Sequence, residues 1–152
     1  MFFSFYSKKL DFTGELLYVQ NDHSLIYTPV NNNIGVGILF GSTTELGTIC
    51  ETCEVVTLSG YAPKTSWLRK KINLPKAKKG CLLAHFDDPP LKGTCIDYAS
   101  YWDTYYDEEK QVICIGDYQI HGDDDCVEFA NNTIATLRNG DLIAIWAKFN
   151  EI

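Results

Sequence analysis

Apolar residues fall in short runs or alternate with polar ones along most of the chain, and Gly, Pro, Asn and Asp break the runs. That pattern predicts strands. Residues 1–12, which begin with Phe2, Phe3, Phe5 and Tyr6, read as an edge strand or a segment docked on the core. Glu15–Gln20 and Ser24–Thr28, separated by Asn21, Asp22 and His23, read as a hairpin. Pro29 and Asn31–Asn33 interrupt the chain. In Ile34–Phe40, Gly35 and Gly37 share a face with Leu39, which predicts close backbone packing or a bulge. Gly47–Ser59 is rich in Thr, Val, Ile and Cys and reads as one long strand, with or without a bulge. Ser66–Ile72, with Ser66 as an N-cap, is the one short helix expected, cut off by Pro75. Strands follow at Gly80–Phe86 and from Thr94.

Tyr98, Tyr101, Trp102 and Tyr105 are spaced as a helical face. Tyr and Trp also favour strands, and Asp107–Lys110 before QVICI resembles a loop between two strands. The hairpin is the reading adopted, with Tyr98–Tyr106 as its first, aromatic strand. His121–Asp125 is a loop and Cys126–Phe129 a short strand. The C-terminal TIATLRNGDLIAIWAKF is the clearest element, because Asn139–Gly140 favours the left-handed φ of a tight hairpin turn. On its last strand Leu142, Ala144, Trp146 and Lys148 should face one way and Ile143, Ile145, Ala147 and Phe149 the other. Apolar residues on both faces predict a central strand. The expected fold is a single mainly β domain over 1–152, an antiparallel sandwich or a strongly curved, partly closed sheet.

Charge sharpens this picture. The formal net charge is −7. Asp97–Glu128 alone holds ten acidic residues and one basic residue, Lys110, interleaved with Tyr98, Tyr101, Trp102, Tyr105, Tyr106 and Tyr118. Such a balance argues against nucleic-acid binding, which needs clustered Lys and Arg, and favours a basic partner. Seven of the thirteen basic residues lie between Lys64 and Lys79. They form either a solvated segment opposite the acidic stretch or a contact with it, within the chain or across a dimer. No apolar run approaches the roughly 20 residues of a membrane span. The start MFFSFYSKKL has its lysines after its apolar residues, unlike a secretory signal. A cytoplasmic protein with mostly free, structural cysteines is expected, with Cys81, Cys95 and Cys114 as small buried hydrophobes in strand-like runs.

Candidate chemistry is sparse. Cys50 and Cys53 have the spacing of half a zinc site but no second pair, and in one strand they would face opposite sides. His85 reads as a packed or hydrogen-bonded strand histidine and His23 as a turn residue. His121 precedes Asp123–Asp125, which could hold a cation through oxygen ligands but lack the spacing of a calcium loop. There is no GxSxG, GxxxxGK or HExxH. No enzyme activity and no cofactor are therefore expected. Tyr and Trp ringed by carboxylates suit an interface with Lys and Arg. The expected partner-binding residues are Tyr98, Trp102, Asp103, Tyr105, Asp107, Glu108, Glu109, Asp123, Asp124 and Asp125.

YYDEEKQVICIGD followed by VEFANNTIATLRNGDLIAIWAKF resembles the C-terminal part of small bacterial immunity proteins. These neutralise polymorphic or contact-dependent growth-inhibition toxins. The resemblance covers about the last third of the chain and is carried by Tyr106, Asp107, Cys114, Ile115, Gly116, Asp117, the Asn139–Gly140–Asp141 turn and Trp146. It implies a cytoplasmic, non-enzymatic binder of one cognate basic toxin domain, commonly a nuclease, with no nucleic-acid or membrane partner. No binding residue carries over by motif. The alternative is a β-barrel or sandwich binding a small ligand in a cavity lined by tyrosines and Trp102.

Overall fold

The computed structural model describes residues 1–9 and 13–152. The part of the N-terminal expectation that falls on 10–12 lies outside the described residues. The described chain is mainly β, with fifteen strands in one mixed, curved sheet. β1 (Phe2–Tyr6) is an edge strand. β2 (Glu15–Val19) and β3 (Ser24–Thr28) form the expected hairpin around a 3-10 turn, Gln20–Asp22, which His23 closes at φ 50°. β4 (Ile34–Phe40), β5 (Thr44–Ile49) and β6 (Glu54–Tyr61) form an antiparallel meander. β7 (Leu68–Arg69) and β8 (Lys78–Lys79) are two-residue strands within an extended segment, and β9 (Cys81–His85) follows directly after Gly80. Then come β10 (Thr94–Ala99), β11 (Thr104–Asp107), β12 (Val112–Gly116), β13 (Asp125–Ala130), β14 (Thr133–Arg138) and β15 (Asp141–Glu151).

β15 is central, as its two apolar faces predict. It pairs with β12 along one edge and with β14 along the other, then runs on beside β2. Leu142, Ile145, Ala147 and Phe149 enter the main core, and Ala144 and Trp146 a second cluster. Leu142 thus lies on the face expected of its neighbour, because the ladder shifts register between Thr136 and Leu137. From β15 one path leads through β14, β13 and β8, and another through β2, β3, β6 and β9. The chain passes from β8 into β9 through Gly80, whose N–H donates to Glu128 O at 3.1 Å. The sheet is curved and not closed: between β8 and β9 the chain is continuous but no ladder joins them. Parallel pairs β10–β4, β11–β7, β13–β8 and β15–β2 make it mixed where an antiparallel sheet was expected. They arise where strands distant in sequence meet.

Three local expectations are overturned. Gly47–Ser59 is not one strand: the chain reverses at Cys50–Cys53, with Cys53 at φ 62° and its N–H donating to Ile49 O at 2.8 Å. The left-handed position is held by a cysteine, not by Gly or Asn, so the turn carries no sequence signal. No α-helix forms over 66–72. A single 3-10 turn at Lys64–Ser66 precedes an extended strap. Trp67 enters the main core and Ile72 the second cluster. Five residues apart, they would point to widely separated directions on a helix, whereas an extended chain reaches both sites. Finally, Tyr98–Tyr106 is not one strand. β10 ends at Ala99, a turn covers 100–103, and β11 joins a different edge of the sheet. The hairpin across Asp107–Lys110 stands, as β11–β12.

In β4 the expected irregularity is present as a register shift between Ile34 and Val36. Packing over Gly37 is close: a Cβ there would lie 2.5 Å from the Glu45 carboxylate.

Candidate functional site: an acidic, aromatic cleft

The break at residues 100–103 creates the site. Asp97 caps the turn, accepting from the Ser100 N–H at 3.2 Å and the Ser100 hydroxyl at 3.3 Å. The Trp102 N–H donates to Ala99 O at 3.1 Å. Tyr98, at the end of β10, is anchored across the molecule. Its hydroxyl donates to Leu142 O at 3.2 Å and accepts from Leu142 N at 2.9 Å. Trp102 packs edge-on against Tyr98, with ring centroids 5.8 Å apart, and against Phe40 at 6.0 Å. Tyr105 packs edge-on against Tyr118 at 4.8 Å. Tyr101 is left in solvent, 82% exposed.

Between this turn, the end of β12 and the start of β15 lies an open cleft of about 560 Å³. Its aromatic lining is Tyr98, Tyr101, Trp102 and Tyr105, and its carboxylates are Asp103, Asp117 and Asp141. Four of the expected partner-binding residues, Tyr98, Trp102, Asp103 and Tyr105, therefore meet in one place. Tyr101, Asp117 and Asp141 are additions. Tyr101 belonged to the same aromatic run, but only the turn separates it from the core. Asp141 was legible only as a turn residue.

The basic group in the cleft wall is Arg138, and it is already neutralised. Its Nε donates to Asp124 Oδ1 at 2.8 Å and its Nη2 to Asp124 Oδ2 at 2.9 Å, while Asp117 lies 3.8 Å from Nη1. Asp124 also accepts from the His121 N–H at 2.8 Å. The hydrogen bonds from Arg138 hold its carboxyl down at about 2, against the opposing effect of burial. Asp124 is therefore a structural acid, not a free partner-binding group. Asp123 and Asp125 remain exposed. They line a groove of about 860 Å³ with Lys76 and Lys78 on its other side.

Asp107 is structural as well. It is 6% exposed and accepts from Ile72 N and Lys110 N, both at 3.1 Å. Burial pushes its carboxyl up, but these two N–H donors outweigh that and leave it below the usual range. Glu108 is exposed and pairs with Arg69 at 3.0 Å; Glu109 is exposed. Lys70 sits over the Tyr118 ring at 4.3 Å. The basic strap thus contacts the acidic stretch within the chain, the sharper of the two readings open from sequence. The Asp107–Lys110 turn lies at the far end of the β11–β12 hairpin from the cleft, whereas the Asp123–Asp125 loop is tied to the cleft wall by Arg138.

The remaining candidates resolve as packing. The His85 ring stacks on Phe2 at 4.2 Å and its Nε2 lies 2.7 Å from Ser4 Oγ. His23 packs edge-on against Tyr61. All six cysteines are free. Cys81 and Cys114 are buried, but Cys95 is exposed on edge strand β10, contrary to expectation. Among the described residues no three of His, Cys, Asp or Glu converge as metal ligands would. Among them, too, no helix is long and apolar enough to cross a membrane. No protein-family model matches the chain, and no curated protein matches it.

Proposed function

We propose that this protein is a cytoplasmic immunity protein that binds and neutralises a basic toxin domain, without catalysis, through the face centred on the Ser100–Asp103 turn. The observation that carries the reading is the cleft itself. An 82% exposed tyrosine stands beside three carboxylates, and the single cation in the wall among the described residues already has its own counter-ion. Large aromatic groups with polar handles anchor interfaces. Carboxylates around them steer a basic partner and set its orientation. Asp123 and Asp125 would form the rim on the same side, and Glu108 and Glu109 would be peripheral. The small-ligand alternative gains less support, because the interior is filled by side chains such as Phe3, Tyr18, Phe40 and Phe149 and the cleft is open to solvent.

The direct test mixes the protein with the toxin domain encoded just upstream, at moderate salt, and assays survival of cells expressing both. A tight complex and protection are expected. No complex and no protection would overturn the reading.

A further inference from the structure

We propose that the group recognised by the cleft is an arginine side chain projected by the partner. This rests on the reading above and specifies its chemistry. The aromatic walls come from Tyr98, Tyr101, Trp102 and Tyr105, and the carboxylates come from three separate places: Asp103 in the β10–β11 turn, Asp117 after β12 and Asp141 at the start of β15. A cation entering between these elements meets carboxylates on several sides and aromatic rings between them. Asp103 and Asp141 have no ion-pair partner among the described residues. Arg138 leaves Asp103 and Asp141 unpaired, because Asp124, outside the cleft, takes its guanidinium in a two-bond fork and only Asp117 of the cleft carboxylates, 3.8 Å from Nη1, pairs with it.

Guanidinium suits this lining better than ammonium does. It is planar, stacks on aromatic rings, gives up water more readily, and presents donors in a rigid fork that carboxylates match. A lysine ammonium is compact and strongly hydrated, so it loses more on entering an aromatic cleft. The chain itself shows one half of this chemistry beside the site, the two-bond fork between Arg138 and Asp124. The volume of about 560 Å³ exceeds one side chain, which leaves room for the backbone that carries it.

The test is a titration of the intact protein with N-acetyl-arginine methylamide, followed by NMR. The lysine and citrulline analogues serve as controls. Arginine should shift resonances of Tyr98, Tyr101, Trp102 and Asp103; lysine should bind more weakly, and neutral citrulline should cause no shift. Asp103→Asn and Tyr101→Ala, both at exposed side chains, should each weaken the arginine probe by roughly two- to fivefold. Equal shifts from citrulline, or shifts confined to Asp123 and Asp125, would overturn the proposal. Binding of the toxin domain is measured separately with the same variants. An unchanged affinity for Asp103→Asn and Tyr101→Ala would overturn the arginine assignment and the choice of this face, and leave standing only that the protein binds the toxin domain. Loss of all toxin binding by the wild-type protein would overturn the immunity reading, whatever the probe does.

Discussion

Asp124 grips Arg138 with both carboxylate oxygens, at 2.8 and 2.9 Å, and so joins the loop before β13 to the last residue of β14. The folded-state pKa of Asp124, about 2, lies below its ordinary value of 3.8. A depressed carboxylate stabilises the fold above the ordinary value and loses that contribution as pH falls through the folded one. The wild-type urea midpoint should therefore drop between about pH 4 and pH 2 more steeply than that of Asp124→Asn. Parallel curves for the two proteins would contradict this.

Gly116 and Gly140 both have positive φ, 112° and 82°, but their surroundings differ. A Cβ on Gly140 would meet nothing closer than 3.7 Å, so Gly140→Ala carries only the backbone strain, about 1 to 2 kcal/mol. At Gly116 the Cβ would lie 2.4 Å from Ile143 O, and the backbone cannot yield without breaking the β12–β15 ladder. Gly116→Ala should cost more than about 3 kcal/mol in urea unfolding. Equal costs would show that this crowding is relieved cheaply.

Trp146 is 3% exposed, and its Nε1 donates to Thr136 Oγ1 at 3.0 Å. Trp146→Ala should cost about 3–5 kcal/mol through the cavity it leaves. Thr136→Val keeps the volume but strands a buried donor and should cost about 1–3 kcal/mol. Chemical denaturation of the three proteins measures both. A neutral Thr136→Val would mean that the indole finds another acceptor.

Asp107 connects the β11–β12 turn to the strap by accepting from Lys110 N and Ile72 N. Ile72, Leu74 and Ala77 cover Val112, Cys114 and Trp146. Asp107→Ala should speed amide hydrogen exchange in residues 70–79 while leaving β14 and β15 protected. Glu109→Ala, at an exposed position, is the control and should change neither. Unchanged exchange in the strap would show that its apolar contacts alone hold it.

Local patterns were legible where each element's cause lies within its own few residues. The β2–β3 and β14–β15 hairpins follow from turn chemistry at Gln20–His23 and Asn139–Gly140. The central position of β15 follows from apolar residues on both its faces. Where the cause lay elsewhere in the chain, local pattern misled. Cys53 took a left-handed position without a turn residue to announce it, and Ser66–Ile72 was pulled straight because Trp67 and Ile72 are buried in different clusters. The acidic stretch shows the same division. Sequence alone determined its charge and its aromatic content. Only the tertiary structure separated Asp107 and Asp124, drawn inward by Ile72, Lys110 and Arg138, from Asp103 and Asp141, which have no counter-ion among the described residues. The physical reason is distance along the chain. A carboxylate's role depends on which cation or N–H the fold brings within about 3 Å, and for Asp124 that partner lies fourteen residues away.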